Sequence, residues 1–321
     1  MFSIAIASSV IAMELSQRVD EHHRNYSLLL IEESSNILGI YDPNTDQELG
    51  RVALTRWPHE ITVSNDGKRA YISNFGIRDH DLTVGDAGNS VSVIDLENCC
   101  EVDRLFTTFN GERFWAPHAV KLSPDNESLF VNAERVGSRY SDSKEQLQAR
   151  ILVFDLVDGK PTKTIKTPKF APETQHPSWG VPAQAYKALG GMHNFVFSKN
   201  GKSLWYFAGQ KDVVHIGLDG DLLHHLDNFN GVVRALSFNE DGTLLVSATD
   251  EVCIVNPEII DPRTTKPKIE SRFGKFGVTQ ILYSEMTKDM NFILAPAVWE
   301  GQVVVIDVHG KEPTRLISTG V

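Results

Sequence analysis

The sequence predicts an all-β fold, a β-propeller of four-stranded antiparallel blades, with six blades favoured and seven as the alternative. Three observations lead there. A hairpin phrase recurs along the 321 residues, a β-rich run ending in an acidic turn follows the copies, and the composition, 41% hydrophobic and 23% charged, suits a chain that buries a large core.

The phrase first reads WPHEITVSNDGKRAYISN at residues 57–74 and returns as APHAVKLSPDNESLFVN at 116–132. Further copies are GMHNFVFSKNGKSLWYF at 191–207 and VRALSFNEDGTLLVS at 233–247, and a looser one starts at Gly277. In each, apolar residues alternate, stop at an Asn/Asp-Gly type of pair that tolerates positive φ, and resume. That is the pattern of two strands joined by a tight turn. The runs SVSVID (90–95), RILVFD (150–155) and QVVVID (302–307) add a third strand, and a short stretch such as 102–106 adds a fourth. A four-stranded unit cannot bury both faces alone, so the units pack face to face around an axis. Residues 26–54 supply three strands of another blade, whose innermost strand is expected from the apolar run 2–12. Residues 1–321 are read as one propeller domain, with 1–25 as the segment that closes the ring.

A formal charge of −11 repels phosphate backbones, and no cluster of Lys and Arg interleaved with aromatics offsets it, so nucleic acid is not expected as a partner. The run 2–12 has no Lys or Arg before it and is too short to span a bilayer; no membrane partner is expected, a cytoplasmic location is favoured, and secretion is the alternative. Cys99, Cys100 and Cys253 are odd in number and lack zinc-ligand spacing, so they read as ordinary cysteines. The nucleophile elbow of serine hydrolases, the P-loop, the dinucleotide fingerprint and the WD dipeptide are all missing from the sequence.

Phrases of the type Pro-His-x-Ile-x-Val-Ser-x-Asp-Gly-Lys followed by Val-Ser-Val-Ile-Asp resemble the YVTN-repeat (YncE-like) β-propellers over about residues 26–317. Those are similar in turn to propeller lactonases and virginiamycin-type lyases. The resemblance implies the scaffold; the group it points to contains lactone hydrolases, lyases, copper enzymes, cyclases and proteins with no known reaction.

In a propeller the first strand of each blade lines the central channel. The long segments 76–89, 136–149 and 168–190 all fall in connections on one face, while the turns at 65–67 and 240–242 on the other stay short, so a rim over one channel mouth is expected. Aligning the first strands puts His59, His118, His193, Arg234 and Gln280 at that mouth. By strand alternation His59 shares its side with Ile61 and Val63, His118 with Val120 and Leu122, and His193 with Phe195 and Phe197. A His after Pro could instead serve only to hydrogen-bond a neighbouring blade's backbone. Asn74 ends a second strand, and Glu134 and Arg135, just after another, either reach the mouth or pair with each other. Trp57, Trp115, Trp179, Tyr186 and Trp299 lie in or beside connections on the same face, where they would wall a ring-containing ligand or pack loops against the blades. The stretch with Asp79, His80, Asp81 and Asp86 lacks the order of a calcium loop and reads as solvated.

Neutral imidazoles exchange protons near pH 7, and an arginine holds a carboxylate or a developing oxyanion. The expectation is therefore a small-molecule enzyme: a hydrolase, lyase or cyclase acting on a lactone or another substrate that forms or opens a ring. His59, His118 and His193 would serve in proton transfer, Arg234 as an anion clamp, and Gln280, Asn74, Glu134 and the aromatics in substrate binding. No metal is favoured, because Arg234 would place a positive charge beside it and no carboxylate occupies the same ring position. Cu or Zn at the His ring is one alternative. A noncatalytic propeller binding a ligand or partner on its rim is the other.

Overall fold

The computed structural model describes residues 13–20, 23–42, 45, 47–78, 81–134, 149–168, 194–208 and 211–318. These residues form six four-stranded antiparallel sheets, the blades of a β-propeller, and contain no α-helix. Consequently, no helix among them is long and apolar enough to cross a membrane. The described residues divide into two compact units, the first reaching to residue 168 and the second opening at Asn194.

In the first unit, blade 1 is Met13–Asp20, His23–Glu32, Ile37–Tyr41 and Glu48–Ala53. Blade 2 is Pro58–Val63, Arg69–Asn74, Ser90–Asp95 and Cys100–Phe106, and blade 3 is Pro117–Leu122, Ser128–Ala133, Arg150–Asp155 and Lys160–Lys166. The first strand of blade 1 thus comes from residues 13–20 and pairs with residues 23–30. The apolar run expected to supply that strand, 2–12, lies outside the described residues. Of the three long connections, 76–89 carries a small hairpin, Ile77–Arg78 against Asp81–Gly85, and the other two fall outside the described residues except at their ends.

In the second unit, blade 4 is Phe195–Phe197, Ser203–Ala208, Asp212–Gly217 and Leu222–Leu226. Blade 5 is Ala235–Phe238, Leu244–Ala248, Glu251–Asp261 and Lys266–Gly274. Blade 6 is Glu285–Met286, Phe292–Ala297, Gln302–Asp307 and Arg315–Ser318, its first strand reduced to two residues plus one bridge from Ile281 to Ala297.

The repeated turn chemistry explains why the phrase recurs. Gly67, Asn126, Gly201, Gly242 and Met290 hold one position in five hairpins, all with positive φ, and each donates its N–H to the carbonyl three residues back. Glycine reaches that conformation without a Cβ penalty. The Asp ending the third strand acts as a cap: Asp95 accepts the N–H groups of Glu97 and Asn98, Asp155 those of Val157 and Asp158, and Asp307 those of His309 and Glu312.

Both faces of a middle blade are buried, and the period-two pleat sorts its residues between neighbours. Ala70 and Ile72 of blade 2 join Leu29, Ile31 and Leu38 of blade 1, while Tyr71 between them turns to Val120, Leu129 and Leu152 of blade 3. In the second unit Leu244 and Val246 pack with Trp205 and Phe207 of blade 4, and Leu245 with Ile293 and Val304 of blade 6. This is why such strands read as continuous apolar runs.

Candidate functional site

The two Pro-His phrases build the same unusual strand entry. Trp57 and Ala116, each just before the proline, have φ of 52° and 58°. This left-handed conformation is strained for residues with a Cβ. Asn36 helps hold the first, its Oδ1 accepting the Trp57 N–H at 2.7 Å; the Ala116 N–H donates to the Gly88 carbonyl at 2.8 Å. Beyond each proline the ladder carries an extra residue. Pro58 pairs with Asn74 and Ile61 with Ile72, so His59 and Glu60 together face Ser73; Pro117 pairs with Ala133 and Val120 with Val131, so His118 and Ala119 together face Asn132. These are β-bulges, which re-aim side chains beside functional sites.

The bulges bring the two imidazoles together. The rings of His59 and His118 lie with centroids 3.8 Å apart and 44° between their planes, and Phe75 sets its edge against both at 5.4 and 5.2 Å. His59 is 4% exposed and His118 1%. Two carboxylates attend His118: Glu60 Oε1 is 3.4 Å from Nδ1, and Glu134 Oε1 is 3.9 Å from Nε2. Glu134 is buried, whereas the Glu60 side chain is 13% exposed and is the member of the group open to solvent; its Oε2 lies 3.9 Å from Lys121 Nζ. The expectation that His59 heads a stripe with Ile61 and Val63 does not hold. Those two pack against blade 1, while His59 packs against His118 of blade 3, because the bulge breaks the alternation between them.

The remaining expected residues are placed as follows. Asn74 is buried and directs its amide to the hydroxyls of Ser90 and Ser92, both at 3.0 Å, within its own blade. Trp57 is half-buried and its Nε1 is buried without a hydrogen-bond partner among the described residues. Trp115 stacks under Arg113, whose Cζ is 5.7 Å from the ring centroid. In the second unit, Arg234 is half-buried and its N–H donates to the Ser247 carbonyl at 2.8 Å. No bulge interrupts the ladder that follows, from Ala235 opposite Ser247 to Phe238 opposite Leu244. Gln280 is buried with its Nε2 on the Ile281 carbonyl at 3.1 Å, and Trp299 is 55% exposed. His193, Trp179 and Tyr186 lie outside the described residues.

Sequence reasoning missed Glu60, Phe75 and Ser73. The repeated residue-Pro-His at a strand start was the available signal, since proline at such a point marks an edge or a bulge. It also missed a row of rings across blade 4, where Trp205 stacks on His215 at 4.2 Å and His215 on His224 at 5.4 Å, with His215 Nε2 bonded to Ser203 Oγ at 2.7 Å. Burial, with His224 beside it, pushes His215 down to about 4.

The fold is shared with solved structures of low sequence identity. The chain is similar to the β-propeller domain of Cps50 (Swd1) from Myceliophteria thermophila, with a TM-score of 0.65 and 13% identity over 99% of this chain and 90% of that one. It is also similar to hydrazine synthase of Kuenenia stuttgartiensis, with a TM-score of 0.62 and 14% identity over 88% of this chain and 80% of that one. No family model matches the chain, and no curated protein matches it. At these identities the likeness establishes the fold: the chain is a β-propeller protein, with a buried histidine pair between its second and third blades.

Proposed function

We propose that this chain is an enzyme of small organic molecules that exchanges a proton with its substrate at the His59–His118 group, in the opening, closing or elimination of a lactone or comparable carbonyl-bearing ring. One observation carries the reading: two imidazoles and two carboxylates from neighbouring blades converge on a buried position, with Glu60 at its solvent edge. A proton arriving on either nitrogen of His118 sits beside a carboxylate, which stabilises the charge that develops during transfer. The flanking Phe75 is apolar and strengthens those electrostatic interactions by excluding water. The resemblance of the repeat phrase to propellers that include lactone hydrolases and lyases agrees with this assignment.

The test is turnover of a panel of lactones and ring-forming precursors by the wild-type protein, with His59→Ala, His118→Ala and Arg234→Ala alongside, each checked for a native circular dichroism spectrum. Loss of about 10²–10⁴-fold in rate in the two histidine variants is the expected result. Protein-dependent turnover that survives both substitutions would overturn the assignment. So would a protein that binds members of the panel through its exposed aromatics and transforms none.

A further inference from the structure

We infer that His59, Glu60 and His118 form a binding site for one divalent first-row transition-metal ion, zinc being the first to test, with Glu134 as the carboxylate that orients His118 from behind. The inference deepens the preceding reading, on which it rests only for placing the reacting centre here. The three side chains offer two imidazole nitrogens and a carboxylate oxygen, all within 4.8 Å of one another. Ligands held about 2.1 Å from a tetrahedral ion stand about 3.4 Å apart. The measured edge between His118 Nδ1 and Glu60 Oε1 is 3.4 Å.

The donor set fits the chemistry of such an ion. Two histidines and one carboxylate are the protein ligands of a zinc or non-haem iron centre that keeps a position open for water or substrate. Glu60 is the ligand nearest solvent, its side chain 13% exposed against 1% for His118. On the far side, Glu134 faces His118 Nε2. An orienting carboxylate behind a metal-bound histidine takes this place, fixing its tautomer and ring orientation. The residues lie on a preset frame, because both bulges fix where the side chains emerge and the Ser73 hydroxyl bonds to the backbone of Glu60 and of His118.

Glu60 and Glu134 bring two carboxylates to the imidazole pair. Lys121 Nζ lies 3.9 Å from Glu60 Oε2. The expectation of no metal rested on the positive charge of Arg234 and on the lack of a carboxylate at the ring position of the histidines. The bulge answers the second of these by placing Glu60 with His59 opposite the single residue Ser73.

The experiment uses the full chain without a histidine tag, stripped with chelator, dialysed and titrated with zinc alone by calorimetry, with Co²⁺ absorption as the report on ligand geometry. The expected result is about one ion per chain with the spectrum of a four- or five-coordinate site. Binding should be lost in His118→Ala and in Glu60→Gln, the latter a partly exposed position whose replacement leaves the fold intact. Glu134→Gln should keep the stoichiometry and weaken affinity about 10–100-fold. Absence of stoichiometric binding to the folded wild-type protein, or binding unchanged in both His118→Ala and Glu60→Gln, would overturn the site. Zinc binding without turnover of any substrate would leave the metal site standing and remove the enzymatic reading. Turnover by a metal-free protein that the histidine variants abolish would do the reverse.

Discussion

Ser73 of blade 2 donates its hydroxyl to the backbone carbonyl of His118 in blade 3, across 45 residues of sequence at 2.5 Å, while accepting the Glu60 N–H at 2.9 Å. One fully buried side chain therefore fastens the bulge of one blade to the bulge of the next. Ser73→Ala should destabilise the protein by about 1–3 kcal/mol, because it leaves a buried N–H and a buried carbonyl without this partner. Urea denaturation measures it, and Ser73→Thr, which keeps the hydroxyl, should retain more stability than the alanine variant. If Ser73→Ala melts like the wild type, the hydroxyl does not hold the two bulges together.

Stability should depend on pH through His215. Its folded-state pKa is lowered from 6.5 to about 4 by burial, so the native state favours the neutral ring. The unfolded chain then binds more protons between those values. The contribution is complete above about pH 6.5, declines as pH falls, and is gone below about pH 4. Denaturant midpoints at pH 7 and pH 5 should converge in His215→Gln relative to the wild type. Equal pH sensitivity in the two proteins would assign it to other groups.

Met290 occupies, at φ 58°, the turn position that glycine fills in three other blades. Met290→Gly should stabilise the protein by about 0.5–1 kcal/mol, since relief of the left-handed conformation outweighs the greater freedom of glycine in the unfolded chain. Chemical denaturation reads the change, and a destabilised variant would show that the Met290 side chain contributes more than its backbone costs.

Glu251 is buried and accepts from Arg272 Nη1 at 2.8 Å and from the N–H and side-chain amide of Asn230 at 2.9 and 3.1 Å. It thereby pins the segment that leads into Arg234. Glu251→Gln should cost about 1.5–3 kcal/mol by weakening charge-assisted hydrogen bonds. The check is the denaturation midpoint beside that of Glu258→Gln, an exposed control expected to change little.

The architecture was legible because blades repeat: turn residues with positive φ, capping aspartates and two-sided apolar strands all leave local marks in the sequence. Met13–Asp20 was not, since Gln17 interrupts the alternation of Met13, Leu15 and Val19, and the more hydrophobic run before it drew the assignment. Within the site, His59 and His118 were legible as a repeated Pro-His. Glu60 was not, because strict alternation sends adjacent residues to opposite faces and only the bulge gathers both opposite Ser73. Ser73 was hidden for another reason: its partner belongs to a different repeat, and no local pattern announces a bond of that range.

The bulge at His59 and Glu60 is one residue of surplus length in an otherwise regular ladder. Deleting a single codon there would heal the pairing, leave a blade of ordinary geometry, and erase the cluster in one step. A mutation of that kind regularises the sheet and takes apart the proposed site. The reverse event, a one-codon insertion into the first strand of a plain blade, would supply one of the two bulges that the group requires. The side-chain cluster can therefore be assembled or dispersed by changes of strand length that leave the rest of the repeat untouched.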